Sequence, residues 1–206
     1  MFSDHGMNLE ENRRADLKST LARRGFRAVV PAFGLCSYAA VYCPADERIP
    51  EMARVLAEIR GVDFAVYKDG DQVVLESDRG QARIESQSDS FRYSNLNGDP
   101  LELADFGSGF ATDKEWFEKT AGHRYPDAVP NIYKSLFTSR VKHTADILVS
   151  LKDGYYYGWS PFGRFVRLAA THGNALQSSS NAFLMSTHRE LPAYVRADDA
   201  KALLRG

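Results

Sequence analysis

Apolar positions recur along this chain with two different periods, and each change of period marks an element. Near the start, Leu17 and Leu21 fall on one helical face, Arg23 and Arg24 suit the negative end of a helix dipole, and Gly25 is a left-handed stop. Upstream, Asn8 and Glu11 have the spacing of a capping box, which predicts that this helix begins just after Asn8. FRAVVPAF and LCSYAAVYC then read as strands. A second helix is expected from Asp46, with Met52, Val55, Leu56 and Ile59 on one face ahead of Gly61. The stretch VDFAVYKDGDQVVLESDRGQARIE alternates with period two, and Asp69-Gly70 within it is a hairpin signal. An antiparallel meander should result.

After a turn-rich exit at SNLNGDP the longer period returns. In YPDAVPNIYKSLF, Val129, Tyr133, Leu136 and Phe137 share a side, and Pro130 is tolerated near a first helical turn. ADILVSL is a short continuous apolar run, as expected of a strand buried on both faces in a parallel sheet. It leads into DGYYYGWSPFGRFVRLAATHGNALQSSSN, a long Gly-, Ser- and aromatic-rich loop of the kind that carries function. Its Tyr155, Tyr156, Tyr157 and Trp159 could stack on a base, although packing beside the buried strand is the commoner role of such residues.

Composition narrows the classes. The chain has 206 residues, 44% apolar and 12% aromatic, enough for one substantial core or a core with a small subdomain. Basic and acidic residues number 26 and 27, a formal net charge of −1, so no bulk field would recruit a nucleic-acid polymer or an anionic membrane. No apolar run approaches the roughly eighteen residues of a membrane-spanning helix, and the polar start lacks a signal-peptide layout. Cys36 and Cys43 match neither a CxxC redox pair nor a zinc ribbon and read as packed thiols, which leaves the compartment undefined.

Candidate chemistry centres on two of the five histidines. His5 lies in SDHGM, between Asp4 and Gly6, and His172 lies in THG, before Gly173. An Asp oxygen with imidazole nitrogens suits zinc or manganese, and a glycine after each histidine allows close approach of the backbone to an ion or substrate. Asp146, which opens a strand, and Asp153, in a turn with Gly154, are weaker candidates, and no base is arranged by sequence around Ser178, Ser179 or Ser180.

SDHGM followed by a helix, then far downstream ADILVSL, a glycine-aromatic turn and THG, resemble the C-terminal half of the alkaline phosphatase superfamily, especially its nucleotide pyrophosphatase/phosphodiesterase branch. YPDAVPNIYKSLF looks like that family's lead-in to the buried strand. The resemblance implies an α/β fold: residues 1–25 and 98–206 form a partial alkaline phosphatase-like sheet with flanking helices, and 26–97 form an α+β insert that caps the cleft. It also implies metal-dependent hydrolysis of phosphodiester or phosphomonoester bonds at two divalent ions, zinc or alternatively manganese. Asp4 and His5 would be ligands, and His172 would bind the metal opposite the one taken by His5.

That family places its Thr or Ser nucleophile, its first metal-binding Asp and an Asp-x-x-x-His pair upstream of SDHGM. The expected partner is therefore a missing N-terminal half of the same fold, or a complementing chain. On that expectation Met1 is an internal methionine, Phe2 ends a buried strand, and an open apolar sheet edge favours association. Two other readings follow from the same residues. One is a standalone non-catalytic α+β binding module or inactive fragment; the other keeps the superfamily with sulfate-ester or phosphomutase chemistry.

Overall fold

The computed structural model describes residues 2–10, 12–32, 35–44, 48–137, 141–158 and 168–205. It is mixed α/β, with two sheets and six helices among these residues. The larger sheet has seven strands in the order β3 (Tyr38–Val41), β9 (Ile147–Leu151), β4 (Val62–Asp69), β5 (Gln72–Ser77), β6 (Gly80–Gln87), β7 (Ser90–Gly98) and β8 (Ala111–Thr112). Every neighbouring pair in it is antiparallel.

The period-two stretch forms the expected meander. Asp69 pairs with Gln72, so Gly70 and Asp71 make the two-residue turn between β4 and β5. The last strand runs further than its turn-forming residues suggest. Much of SNLNGDP belongs to β7, because cross-strand pairing with β6 extends as far as Gly80 and Gly98.

The ADILVSL strand is central, as its apolar run predicts, but its neighbours are antiparallel rather than parallel. A continuous apolar run reports burial on two faces and is silent on strand direction. Ile147, Val149 and Leu151 face one apolar cluster, together with Leu17, Leu21, Met52 and Leu56. Leu148 packs against a second cluster containing Phe64, Val66, Trp116, Val129, Ile132 and Leu136. The sheet therefore carries helices on both faces. Because β9 lies between β3 and β4, segments 26–97 and 98–206 share one sheet.

Helix α1 spans Leu17–Arg23 and α2 spans Ile49–Ala57, and both cover the first face. The first begins later than the capping-box spacing predicts. Asn8 instead pairs with Thr171, and its Oδ1 accepts a 2.7 Å bond from the Glu10 amide; Glu11 lies outside the described residues. Asp16 is the N-cap position, while Gly25 (φ 79°) is the predicted left-handed stop. The face of α2 is as predicted, with Met52, Ala53 and Leu56 buried; each fully buried Leu or Met contributes about 1.5–3 kcal/mol. Its expected start, Asp46, lies outside the described residues.

FRAVVPAF is not a strand: among its described residues only Val29 makes a bridge, to Tyr42. The second sheet joins β1 (Arg13–Arg14), β10 (Tyr155–Gly158) and β2 (Leu35–Cys36), with β1 parallel and β2 antiparallel to β10. The glycine-aromatic loop thus contributes a strand. Tyr157 is buried in the first cluster and donates to the Val30 carbonyl at 3.0 Å, and Trp159 lies outside the described residues.

On the second face lie α3 (Asp113–Thr120) and α4 (Ala128–Phe137). Helix α3 has a complete capping box between Thr112 and Glu115. Helix α4 matches the predicted YPDAVPNIYKSLF segment, with Pro130 in its first turn. A single turn, α5 (Gln177–Ser180), and a C-terminal helix, α6 (Ala197–Arg205), complete the set.

Arg196 fastens the chain ahead of α6 to α3 and α4. It pairs with the Asp113 carboxylate, donates to the Asp113 carbonyl at 2.7 Å and reaches Asp127 at 2.7 Å, with Phe117 under its guanidinium. Burial pushes the Asp113 carboxyl up, but bonds from Arg196 and Lys134 hold it below its ordinary value. Charged hydrogen bonds of this kind contribute about 1.5–3 kcal/mol each. Arg196→Met should therefore expose the segment around Tyr194 and α6 to protease while the sheet amides keep their hydrogen-exchange protection. Equal loss of protection in β4 and β9 would show that the latch supports the whole fold instead.

Candidate functional site

The chain segment carrying Asp4 and His5 runs as an extended ribbon between two others. Ser3 donates its amide to the Phe183 carbonyl at 3.1 Å, Gly6 to Ser179 at 3.1 Å, and Asn8 to Thr171 at 2.8 Å. Thr171 returns a bond from its amide to the Asn8 carbonyl at 3.0 Å. The ribbon therefore lies directly beside THG, which the sequence places at the far end of the chain.

The THG segment is clipped to the end of β9. The Ser37 amide donates to the His172 carbonyl at 2.8 Å, and the Leu151 amide donates to the Ser37 carbonyl at 2.9 Å. Thr171 Oγ1 donates to the Leu35 carbonyl at 2.9 Å, and Asn174 Nδ2 donates to the Leu151 carbonyl at 2.9 Å. Each position around His172 is thereby tied to the second sheet or to the edge of the first.

As a result, His5 and His172 stack face to face, with ring centroids 3.9 Å apart and planes within 18°. His5 Nδ1 donates to the Gly6 carbonyl at 2.7 Å, and since a carbonyl can only accept, the ring proton sits on Nδ1. Nε2 lies 3.4 Å from Asp4 Oδ2, so a neutral His5 presents a lone pair to the carboxylate and a protonated one an N–H. In the neutral form the two facing acceptors would be bridged by a proton or a cation. A tetrahedral zinc with ligands at about 2.0–2.2 Å would set its ligand atoms about 3.4 Å apart. The backbone bond on Nδ1 is the kind of outer contact that orients a metal-binding imidazole.

All three residues predicted as ligands are thus gathered into one locality. Asp4 is exposed, and both histidines are half-buried. Among the described residues no group of three or more His, Cys, Asp or Glu side chains converges as a ready metal cage. The stacked rings explain this: parallel imidazoles do not aim at a common point.

The seam beneath the histidines holds unpaired polar atoms. Asn8 Nδ2, Ser37 Oγ and Ser179 Oγ are buried with no hydrogen-bond partner among the described residues. All three residues make backbone bonds to the segments that carry His5 or His172. Buried polar groups without a protein partner are ordinarily satisfied by ordered water.

The two glycines serve chain packing rather than ligand approach. A Cβ on Gly6 would lie 2.1 Å from the Ser178 carbonyl oxygen and 2.6 Å from that of Asn181. Gly173 (φ 113°) abuts Tyr38, whose Cδ1 would be 2.8 Å from an added Cβ. Phe2, expected to end a buried strand, is 69% exposed and bridges only Leu184. Next to Gly173 an apolar cavity of about 250 Å³ opens among Tyr38, Phe64, Ile132, Leu148 and Ala175.

The weaker candidates have structural roles. Asp146 Oδ2 accepts from the Cys43 amide at 2.6 Å, and Asp153 accepts from Asn174 at 2.9 Å and from Ser178 Oγ at 2.9 Å. Sequence reading misses Asn8, Thr171 and Asn174, which bring the two histidine segments together. Thr171 and Asn174 flank THG, but nothing in their spacing announces a pairing with the N-terminal ribbon. No helix among the described residues is long and apolar enough to cross a membrane. No protein-family model matches the chain, and neither the curated proteins nor the solved structures compared with it give a match.

Proposed function

We propose that this chain contributes Asp4, His5 and His172 to a two-metal centre that hydrolyses phosphate esters, as a part of an alkaline phosphatase-like enzyme. The stack of His5 on His172 carries the reading. Two parallel rings 3.9 Å apart can each offer a nitrogen to a different ion, and catalytic metal pairs are about 3.5–4 Å apart. Zinc, or alternatively manganese, is the ion that suits imidazole with carboxylate. When bound, such a pair supplies charge stabilisation to a transferred phosphoryl group.

The residues of this chain position and bind. The Gly6 carbonyl holds the His5 ring in the tautomer that frees Nε2, Asp4 stands beside that nitrogen, and the Asn8–Thr171 bridge sets His172 against His5. The cavity beside Gly173 would take an aryl or other apolar ester group. Of the hydroxyls near the histidine segments, Thr171 bonds the Leu35 carbonyl and Ser178 bonds Asp153, while Ser37 Oγ and Ser179 Oγ are buried and have no carboxylate or imidazole bonded to them among the described residues. The resemblance to the alkaline phosphatase superfamily assigns the nucleophile and further ligands to a complementing segment, an N-terminal half of the same fold or a separate chain.

Zinc binding can be measured on this chain alone. His172→Ala and His5→Ala should each weaken zinc affinity at least about tenfold, the scale seen when a metal site loses a contributing group. Mixed with its complementing half, the chain should hydrolyse an aryl phosphodiester in a zinc- or manganese-dependent way, and His172→Ala should abolish that. Unchanged zinc affinity and hydrolysis in His172→Ala would refute the assignment.

A further inference from the structure

A second cavity, lined by charged and apolar residues, lies where β1, α1 and the C-terminal end of α2 meet. It has a volume of about 460 Å³ and is open to solvent. Arg13, Arg14, Arg23, Arg24 and Arg60 line it, with Tyr155 among them. Two carboxylates share the wall. Arg23 lies 3.2 Å from Asp16, and Arg24 lies 3.7 Å from Glu58.

Five guanidinium charges against two carboxylates leave a formal excess of three positive charges around one concavity. The chain as a whole carries −1, so this excess is local and not a consequence of general basicity. The side chains of Arg13 and Arg14 form no ion pair or hydrogen bond with any described residue. Like charges gathered in a concavity focus a positive potential there, and an anionic ligand relieves their repulsion.

The floor of this cavity is built. Arg60 Nε donates to Tyr155 Oη at 3.0 Å, which fixes one edge of its guanidinium. The Tyr155 ring packs so closely on Gly61 that an added Cβ would come within 2.1 Å of Tyr155 Cδ1. The backbone of β1 is in turn paired to β10 through Arg13 with Tyr155 and Arg14 with Tyr156. Three arginines are therefore carried on backbone whose relative position is set by one aromatic residue and its strand.

We propose that this cavity binds a small polyphosphate anion, with Arg13, Arg14 and Arg60 as its principal ligands. Guanidinium groups present paired N–H donors that match phosphate oxygens. A single phosphate group carries about −1.5 to −2 at neutral pH, less than the excess in the wall, whereas two linked phosphates balance it. A concavity of this volume suits a small ligand better than a protein chain. None of Asp4, His5 and His172 belongs to this lining, and the proposal stands without the metal-site reading.

Calorimetric titration of the full chain with inorganic pyrophosphate, in buffer containing a chelator, tests it. Saturable binding is expected, with orthophosphate weaker by about tenfold or more, as the loss of charge-assisted bonds predicts. Arg13→Gln/Arg14→Gln, both on exposed positions, should weaken pyrophosphate by at least about tenfold, and Arg60→Gln should do likewise. His172→Ala should bind as the parent does. Absence of pyrophosphate binding would overturn the proposal. So would binding that survives the arginine substitutions but is lost with His172→Ala, or an acidic peptide that binds more tightly than pyrophosphate.

Discussion

Asp63→Ala should destabilise the protein by about 3–5 kcal/mol, the cost of removing one partner of a buried ion pair. Asp63 is wholly buried, and Arg79 Nη2 donates to its Oδ1 at 2.9 Å. Tyr125 Oη sits 3.1 Å and 3.0 Å from the two carboxylate oxygens and accepts from Arg79 at 2.8 Å. Arg79 also donates to the Pro100 carbonyl through Nε at 3.0 Å. Burial lowers the affinity of Arg79 for its proton, but Asp63 and Tyr125 more than offset this and hold the guanidinium charged. Without Asp63 a charged group would remain in a place prepared for an anion.

Pairwise replacement separates the pair from its surroundings. Asp63→Leu/Arg79→Met should recover much of the loss, because removing both charges also removes the desolvation cost. For a chain of this size a loss of 1 kcal/mol lowers Tm by about 2–4 °C, so Asp63→Ala should fall by roughly 10 °C and the double variant by far less. Denaturant unfolding of the three proteins measures it. If the double variant were less stable than Asp63→Ala, the interaction would be worth more than its desolvation and this account would be wrong.

The same residue shows why part of the fold was hidden in the sequence. Strand β4 has a register shift between Val62 and Phe64. Val62 packs with Ala65 and Tyr67 in one cluster, while Phe64 and Val66 belong to the other. Alternation thus loses phase at Asp63, and period-two reading, which assumes constant phase, has no means of finding the bulge. The hairpin at Gly70, the face of α2 and the extent of α4 were legible because each depends on neighbours within one or two turns of chain.

Non-local pairing was legible only in part. ADILVSL announced a central strand but not the direction of its neighbours, and a two-residue strand such as β1 has too few positions to show a period. The capping-box spacing at Asn8 misled because its side chain is used locally and its backbone by Thr171. The Thr112/Glu115 box has the same spacing and does cap a helix, so the signal is real but depends on what the flanking backbone pairs with. The juxtaposition of SDHGM and THG came from resemblance. Nothing in residue period or composition connects His5 with His172.

Gly6→Ala should separate those two histidines while leaving the main sheet folded. The added methyl would meet the carbonyl oxygens of Ser178 at 2.1 Å and Asn181 at 2.6 Å. Both are backbone atoms, so relief must come from movement of the ribbon and loss of the Gly6–Ser179 bond. Overpacking of this sort costs about 1–3 kcal/mol, but here it falls on a short ribbon held by few bonds, and displacement is the cheaper response. His5 would then leave His172, and its Nε2 would no longer be set beside that ring. Zinc affinity is expected to fall at least about tenfold, as when a ligand itself is displaced. Far-UV circular dichroism and the unfolding midpoint should change little, since neither apolar cluster includes residues 2–8. Gly109→Ala, where an added Cβ meets nothing within 4 Å, provides the control and should bind zinc as the parent does. Full zinc affinity in Gly6→Ala would mean that the metal does not require the His5–His172 stack. That result would remove the ribbon, and with it the geometric basis of a shared site, from the function of this chain.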